Sequence, residues 1–487
     1  MFATGHGEQI RYVAGLDVFD SLVVGAGAAG CVAARRLVDG GQRVLLVEAG
    51  GSLRPPALST IDAVAALGED EWFWPGIEAL TDGRAELVRY RQGRGVGGGT
   101  AVNTLVMMAG DRIDYDRWAS EQGCTGWDWA SMAPWFEVAT GTLAPAVVEL
   151  GPLAAALGPL AAAAGHPLGG STAEIDCYGY APAALAVADG RRRSVADAYL
   201  VGVGPELVVR SGVAVRRVVT ERGRATGVEV EDGTVVGAGR VVLAAGAINT
   251  PALLRRSGLG GSGAGRSVKD HPSFVFTVGL RAGFRQLVGE SVAAISAVLR
   301  WRSPDRPPGG SADLAALVMD HVGLDADGRR YGAVVAVLTD PDSTGNLPHE
   351  GAPFTPGWLS TVSDRRRFRA GVRAVARLLD HPELGAAIDG VYVDDMGTPV
   401  DRLLAAGDVE LDRWLLDHPG PVSHVAATCP LGSGPDAVVG LDGTMPGAQG
   451  LSVVDASVLP HLPSANPQLP VMAVAERLTA RLLDEIR

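Results

Sequence analysis

Short apolar runs broken by glycine-rich turns organise this chain, and the first fifty residues set the pattern. Leu22-Val23-Val24 runs into Gly25-Ala26-Gly27-Ala28-Ala29-Gly30, then into a small, apolar stretch carrying Cys31, Val32, Ala33, Ala34 and Leu37, then into Val44-Leu45-Leu46-Val47. Brief continuous apolar runs bounded by turn residues read as buried strands, and the longer stretch between them as a helix. The small residues on that helix let it lie close to a sheet. Further strands are predicted at 207–209, 213–219, 227–230 and 241–246, the last running into a turn. Over 281–345 apolar and polar residues alternate in short runs, for example 293–299 and 333–338, and this period predicts an antiparallel sheet. Helices are predicted around Leu153–Ala164 and Asp364–Leu379 and from Pro470 onward. A proline suits a first helical turn, and Val471, Val474, Ala475, Leu478 and Leu482 share one face. Five of the seven residues from Gly93 to Gly99 are glycine, which predicts a loop that another group approaches closely.

Strand–turn–helix elements therefore occur early, in the middle and at the C-terminus, with a β-rich segment between. The fold class predicted is an α/β (α+β) composite. Residues 1–140, 191–280 and 421–487 form a discontinuous Rossmann-like domain, and 141–190 with 281–420 an inserted antiparallel-sheet substrate-binding domain.

Composition narrows the function without naming it. A chain of 487 residues, 47% hydrophobic, can build two cores. A net charge of −13 and the absence of any basic run exclude nucleic acid as an expected partner, and Lys269 is the only lysine. Cys31, Cys124, Cys177 and Cys429 are scattered with no CxxC pair, so neither a metal site nor a disulfide framework is expected. Residues 1–15 lack the charged-then-apolar pattern of a leader, and no apolar run reaches membrane-spanning length; a cytoplasmic location is the expectation.

The candidate chemistry begins at the first turn. Glu48 ends the second strand, eighteen residues after Gly30. That spacing suits an adenine dinucleotide, its pyrophosphate on a helix N-terminus and its ribose hydroxyls on a carboxylate. The glycine motif alone is weak in a chain with 66 glycines; the flanking strands and Glu48 give it weight. A carboxylate at position 48 disfavours the 2′-phosphate of NADP and leaves NAD and FAD. His424, in an apolar stretch, has the ordinary reading of a core histidine. Asn466, before Pro467 and Pro470, has that of a helix cap.

Three longer segments change those readings. The first is Arg94-Gly95-Val96-Gly97-Gly98-Gly99-Thr100-Ala101-Val102-Asn103. The second is the run from Gly246-Ala247-Ile248-Asn249-Thr250-Pro251 to Ser257-Gly258-Leu259-Gly260, followed by Asp270-His271-Pro272. The third runs from His424-Val425-Ala426-Ala427-Thr428-Cys429-Pro430 through Val454-Asp455-Ala456-Ser457 to Asn466-Pro467 and Glu476. In these segments the chain resembles the glucose–methanol–choline oxidoreductases, a family of FAD-dependent enzymes.

The resemblance implies backbone contacts to the FAD phosphates at Gly25, Ala26, Gly27 and Ala28. It places Glu48, with Ala49 beside it, at the adenosine ribose, and the backbone of Val215 at the adenine. Val96, Gly97, Thr100 and Asn103 are implied along the flavin and pyrophosphate, Asp455 and Ala456 at the pyrophosphate and ribityl chain, and Pro467 at the flavin O2 edge. Trp72 or a neighbouring aromatic is implied near the cofactor. Ala101 and Val102 stand where some members carry a histidine bonded to FAD, so non-covalent FAD is expected. Ala109-Gly110 replaces the usual Arg-Gly pair.

His424 and Asn466 become the catalytic pair in this frame. Oxidising an alcohol removes a proton from oxygen and a hydride from carbon, so a base within hydrogen-bond reach is needed. His424 would take the proton, and Asn466 would hold the oxygen so that hydride passes to flavin N5. His271 and His461 are lesser candidates. The expected function is oxidation of a small alcohol or sugar to the carbonyl, with electrons passed to oxygen or another acceptor. An FAD-containing lyase of the hydroxynitrile type and a photodecarboxylase are the alternatives on the same scaffold. Asn466 disfavours the lyase, whose members carry histidine there.

Overall fold

The computed structural model describes residues 19–81, 87–288, 292–349 and 351–486. The leader-free N-terminus expected for residues 1–15 lies outside the described residues.

The apolar runs at the start of the chain form the centre of a sheet. Leu207–Ser211, Val44–Glu48, Phe19–Val24, Val235–Leu243 and Leu451–Val453 lie side by side in that order, all parallel. Parallel strands are covered on both faces, which is why these runs are apolar throughout rather than alternating. The first residues of Val235–Leu243 carry an antiparallel extension instead: Val235–Gly237 pairs with Gly227–Glu229 of the strand Arg224–Val230, and that strand with Val215–Glu221. The helix Ala28–Asp39 packs on the C-terminal helix Gln468–Ile486, which also meets Trp129–Leu143. Arg36 grips buried Glu476 through two hydrogen bonds of 2.6 and 2.9 Å, and the Tyr199 hydroxyl donates to the same carboxylate at 2.8 Å. The two ends of the sequence are thereby fastened into one body.

The second sheet is antiparallel. Its order is Ile388–Tyr392, Pro272–Leu280, Tyr331–Leu338, Leu314–Met319, Ile295–Trp301 and Gly179–Pro182. Alternation along each strand gives two faces. Phe274, Phe276, Ala316, Val334 and Ala336 pack with Phe368, Val372 and Val375 of the helix Val362–Leu379. Val298, Ala315 and Val337 turn the other way, into the core of the first unit.

One boundary differs from the expectation. The sequence reading places Pro272–Leu280 in the first unit, but the strand pairs on both sides within the antiparallel sheet. The chain passes between the sheets at Asp270-His271-Pro272, so that tripeptide is a junction. No helix among the described residues is long and apolar enough to cross a membrane.

Candidate active site

A cavity of about 780 Å³ lies between the parallel sheet and the inner face of the antiparallel one. Gly25, Gly27, Ala28, Glu48, Ala49, Thr100, Asn103, Val215, Asp455, Ala456, Pro467, Asn466, His424 and His271 all line it. That volume is in the upper part of the roughly 300–1,000 Å³ span of small-molecule and cofactor sites.

The glycine-rich turns form its floor. Glu48 accepts from the backbone N–H of Ala26 at 2.8 Å, of Gly50 at 2.8 Å and of Gly95 at 3.1 Å. The Gly97 N–H donates to the Ala26 carbonyl at 2.8 Å. One carboxylate thus clamps the Gly25–Gly30 turn against the Gly93–Gly99 loop. The approach is close enough that only glycine fits: a Cβ on Gly98, whose φ is +52°, would stand 2.7 Å from Gly27 Cα. Within the helix a Cβ on Gly30 would stand 1.8 Å from the Gly25 carbonyl oxygen, whereas one on Gly27 would meet no protein atom within 4 Å. The backbone at Gly27 is therefore open toward the cavity at the N-terminus of Ala28–Asp39, where a helix leaves unpaired N–H groups.

Ala26, Val96, Gly97 and Trp72 do not line the cavity, unlike the other expected contacts. The backbone groups of Ala26 and Gly97 are occupied with Glu48 and with each other, and the Val96 N–H donates to Gly51. The Trp72 ring lies beneath Gly95, where an added Cβ would come within 2.5 Å of it. Its neighbours Phe73 and Trp74 reach the cavity instead.

At the opposite end, side chains from distant segments anchor the wall. Asn103 donates to Gln468 at 2.6 Å and accepts from Arg192 at 3.1 Å. Asp455 accepts from the Gly246 N–H at 2.8 Å and from the Ser457 N–H at 2.9 Å, and burial raises its proton affinity. Asn466 donates through Nδ2 to the Val106 carbonyl, which fixes its amide and leaves Oδ1 as a buried acceptor with no partner. Had the amide been reversed, two oxygens would face each other.

His424 is joined to His271, a contact that motif reading did not find. The backbones of Lys269 and Ala426 exchange hydrogen bonds of 3.1 and 2.9 Å as an antiparallel bridge. Two residues forward on one strand and two back on the other bring His271 opposite His424, with Nδ1 to Nδ1 at 2.9 Å. Asp270 holds both: its Oδ1 accepts from the backbone N–H of His271 at 3.0 Å and of His424 at 2.9 Å. Its Oδ2 accepts from the Tyr90 hydroxyl at 2.8 Å and Trp358 Nε1 at 3.2 Å. Burial pushes the Asp270 carboxyl up to about 7 against the pull of these donors. Burial also pushes His424 down to about 3, and lowers His271 well below the ordinary imidazole value, with the neighbouring His424 adding to the effect. Both rings are neutral at pH 7. The Asp270-His271-Pro272 motif was a usable signal for this cluster; nothing in the sequence pointed to Tyr90 or Trp358. His461 lies outside the cavity lining, with Nδ1 2.8 Å from the Leu462 carbonyl.

Residues 19–273 and 341–475 match the GMC oxidoreductase family. The chain belongs to this family of FAD-dependent flavoenzymes. The 5-(hydroxymethyl)furfural oxidase of a Methylovorus species is 31% identical to it, over 96% of this chain and 99% of that protein. The oxygen-dependent choline dehydrogenase of Photobacterium profundum is 28% identical, over 96% and 93%. The crystal structure of pyridoxine 4-oxidase from Mesorbium loti superposes with a TM-score of 0.81 at 26% identity, covering 95% of this chain and 98% of that one. This GMC oxidoreductase has the two-sheet architecture expected of it, a Rossmann-like sheet joined to an antiparallel one. No group of three or more His, Cys, Asp or Glu placed to hold a metal occurs among the described residues.

Proposed function

We propose that this enzyme oxidises an alcohol to the carbonyl, with His424 as base and FAD held without a covalent bond, and passes the electrons to oxygen or another acceptor. The observation that carries this reading is a neutral histidine on the cavity wall with one nitrogen already engaged. Each of the relatives described above is named for a molecule that bears a hydroxyl group. When bound, FAD supplies the acceptor for the hydride that leaves the carbinol carbon. Every other contribution comes from the chain.

The Nδ1–Nδ1 contact requires a proton on one ring and a lone pair on the other. We assign the shared proton to His424 Nδ1, with the lone pair of His271 Nδ1 accepting it; His271 Nε2 has no hydrogen-bond partner among the described residues. His424 then donates through Nδ1 and keeps its Nε2 lone pair for the cavity, the form a general base needs. Asn466 Oδ1 offers an acceptor to the substrate hydroxyl and orients it. The backbone at Gly25, Gly27 and Ala28 would hold the pyrophosphate. Glu48, which has a lone pair left on Oε2, would take the ribose, and the start of Gln468–Ile486 would face the flavin with the positive end of its dipole. Ala101 and Val102 are buried, and no cysteine lines the cavity among the described residues. Acid precipitation is therefore expected to release the flavin into the supernatant; flavin remaining with the pellet would show a covalent bond.

Two glycine substitutions separate cofactor approach from protein packing. Gly30→Ala forces a shift of the Gly25 turn, at about 1–3 kcal/mol for an overpacked site, and lowers both stability and FAD content. Gly27→Ala has room in the protein, so the urea midpoint of the flavin-stripped protein stays at the wild-type value while the flavin-to-protein absorbance ratio of the purified enzyme falls. An unchanged ratio in Gly27→Ala would remove the pyrophosphate from that turn.

The pH dependence follows from the lowered affinity of His424 for a proton. A base held at about 3 is deprotonated throughout the range in which an ordinary imidazole, near 6.5, titrates. Substrate-driven flavin reduction is expected to stay level as pH falls from about 8 to 6. The Asp270 carboxyl, pushed up to about 7, titrates in the same range, so an acid limb near the ordinary imidazole value that persists in Asp270→Asn would show that His424 is not held this way. The direct test of the function is anaerobic: alcohols added to the purified enzyme should bleach the oxidised flavin bands, and the carbonyl product should appear in equal amount.

A further inference from the structure

The wall facing the cofactor floor is built from one register of the antiparallel sheet. His271, Ser273 and Val275 follow each other at the strand period of two, so the wall begins at the base pair itself. Val275 stands opposite Val335, and Val335 opposite Leu317. Ser273 stands opposite Val337 in the next row. Ile295 and Met319, themselves opposite each other, extend the same surface. All of them line the cavity, and Val275 is 42% exposed although it is a valine in a central strand. No charged side chain of this sheet faces the cavity among the described residues.

The carboxylates of the lining are committed or remote from this wall. Glu48 clamps the glycine turns, and Asp455 holds Gly246 and Ser457. Glu231 follows Val230, the strand partner of Val215, at the end proposed for adenine. Phe73 and Trp74, the Phe, Tyr or Trp rings that line the cavity among the described residues, already carry cations: the Arg91 guanidinium lies 5.0 Å from the Phe73 centroid and that of Arg94 5.2 Å from Trp74. A quaternary ammonium needs a carboxylate or a free aromatic face. Here it would meet valines or rings already occupied by positive charge. A sugar would bring several hydroxyl groups to a wall whose polar side chains are Ser273 and Thr339.

We infer that the substrate is an alcohol that carries no cationic group and has an apolar aliphatic or aryl body, its hydroxyl at His424 and its body against Val275, Leu317 and Val335. This rests on the alcohol oxidation proposed above. The test compares benzyl alcohol, 1-hexanol, choline and glucose as anaerobic reductants of the holoenzyme. Benzyl alcohol or 1-hexanol should exceed choline and glucose by about 100-fold or more in the second-order rate of bleaching, the discrimination a shaped apolar pocket can supply. Bleaching by choline or glucose as fast or faster would overturn the substrate class and leave alcohol oxidation standing. Bleaching by none of the four, with FAD bound, would overturn both. Val335→Thr keeps the shape of the wall and adds one hydroxyl; it should lower the benzyl alcohol rate about tenfold. An unchanged rate in that folded, flavin-loaded variant would take the substrate off this wall.

Discussion

Replacing His424 by alanine should leave a folded, FAD-loaded protein that alcohols reduce about 10²–10⁴ times more slowly than wild type, the usual contribution of a positioned general base. By transition-state arithmetic that is roughly 3–5 kcal/mol. The expectation of a folded variant rests on local geometry. The backbone N–H bond of His424 to Asp270 survives the change. The His424 ring meets one partner, His271, so truncation leaves a single side-chain nitrogen without its hydrogen bond. The loss should fall on the reduction step and not on FAD content. Stopped-flow reduction of the two proteins by one alcohol reads it. Equal rates would assign proton removal elsewhere; loss of flavin from the variant would give His424 a structural role instead.

Asp270→Ala is expected to be the more damaging change to the protein as a whole. Three N–H donors, from His271, His424 and Trp358, lose their acceptor in a buried setting, as does the Tyr90 hydroxyl. At about 1–3 kcal/mol for each buried donor left unpaired, partly relieved by relaxation, the loss is on the order of 3–5 kcal/mol. Asp270→Asn should cost less. Its amide NH₂ can face the Tyr90 oxygen, which can accept, while the amide oxygen keeps the two backbone donors. Urea midpoints should therefore rank wild type, then Asn, then Ala, with alcohol reduction failing in the same order as His424 loses its anchor. The sign of the pH effect gives a second readout. The Asp270 proton affinity is raised on folding, so the stability it contributes is present below about pH 4 and is lost as pH rises through about 7. Asn removes that dependence. An Ala variant as stable as wild type would show that the four hydrogen bonds do not hold the junction.

Much of this architecture was legible because buried parallel strands write themselves as unbroken apolar runs. Val44–Val47 and Val241–Leu243 are such runs, and both lie in the first sheet. Alternation was equally direct at 333–338, where Val334 and Ala336 enter one core and Val337 the other. What periodicity could not supply was the pairing between distant strands. His271 and His424 are 153 residues apart, and only the bridge of Lys269 with Ala426 sets them face to face. The same gap hid the boundary at Pro272, because a motif continuous in sequence crosses from one sheet to the other. At Trp72, Phe73 and Trp74 three aromatic positions in a row made each a candidate. The close approach to Gly95 that pulls Trp72 out of the cavity has no signature in the sequence.

His424 and the surrounding chain are proposed to prepare an alcohol to give up hydride from its carbinol carbon. Anaerobic stopped-flow reduction of the holoenzyme with benzyl alcohol, and with its form deuterated at that carbon, reads this step. Bleaching of the flavin bands should be several-fold slower with the deuterated alcohol in wild type, with His424→Ala reduced far more slowly by either. Full flavin occupancy with no bleaching by either form, or bleaching at equal rates that His424→Ala leaves unchanged, would rule out hydride loss prepared by His424.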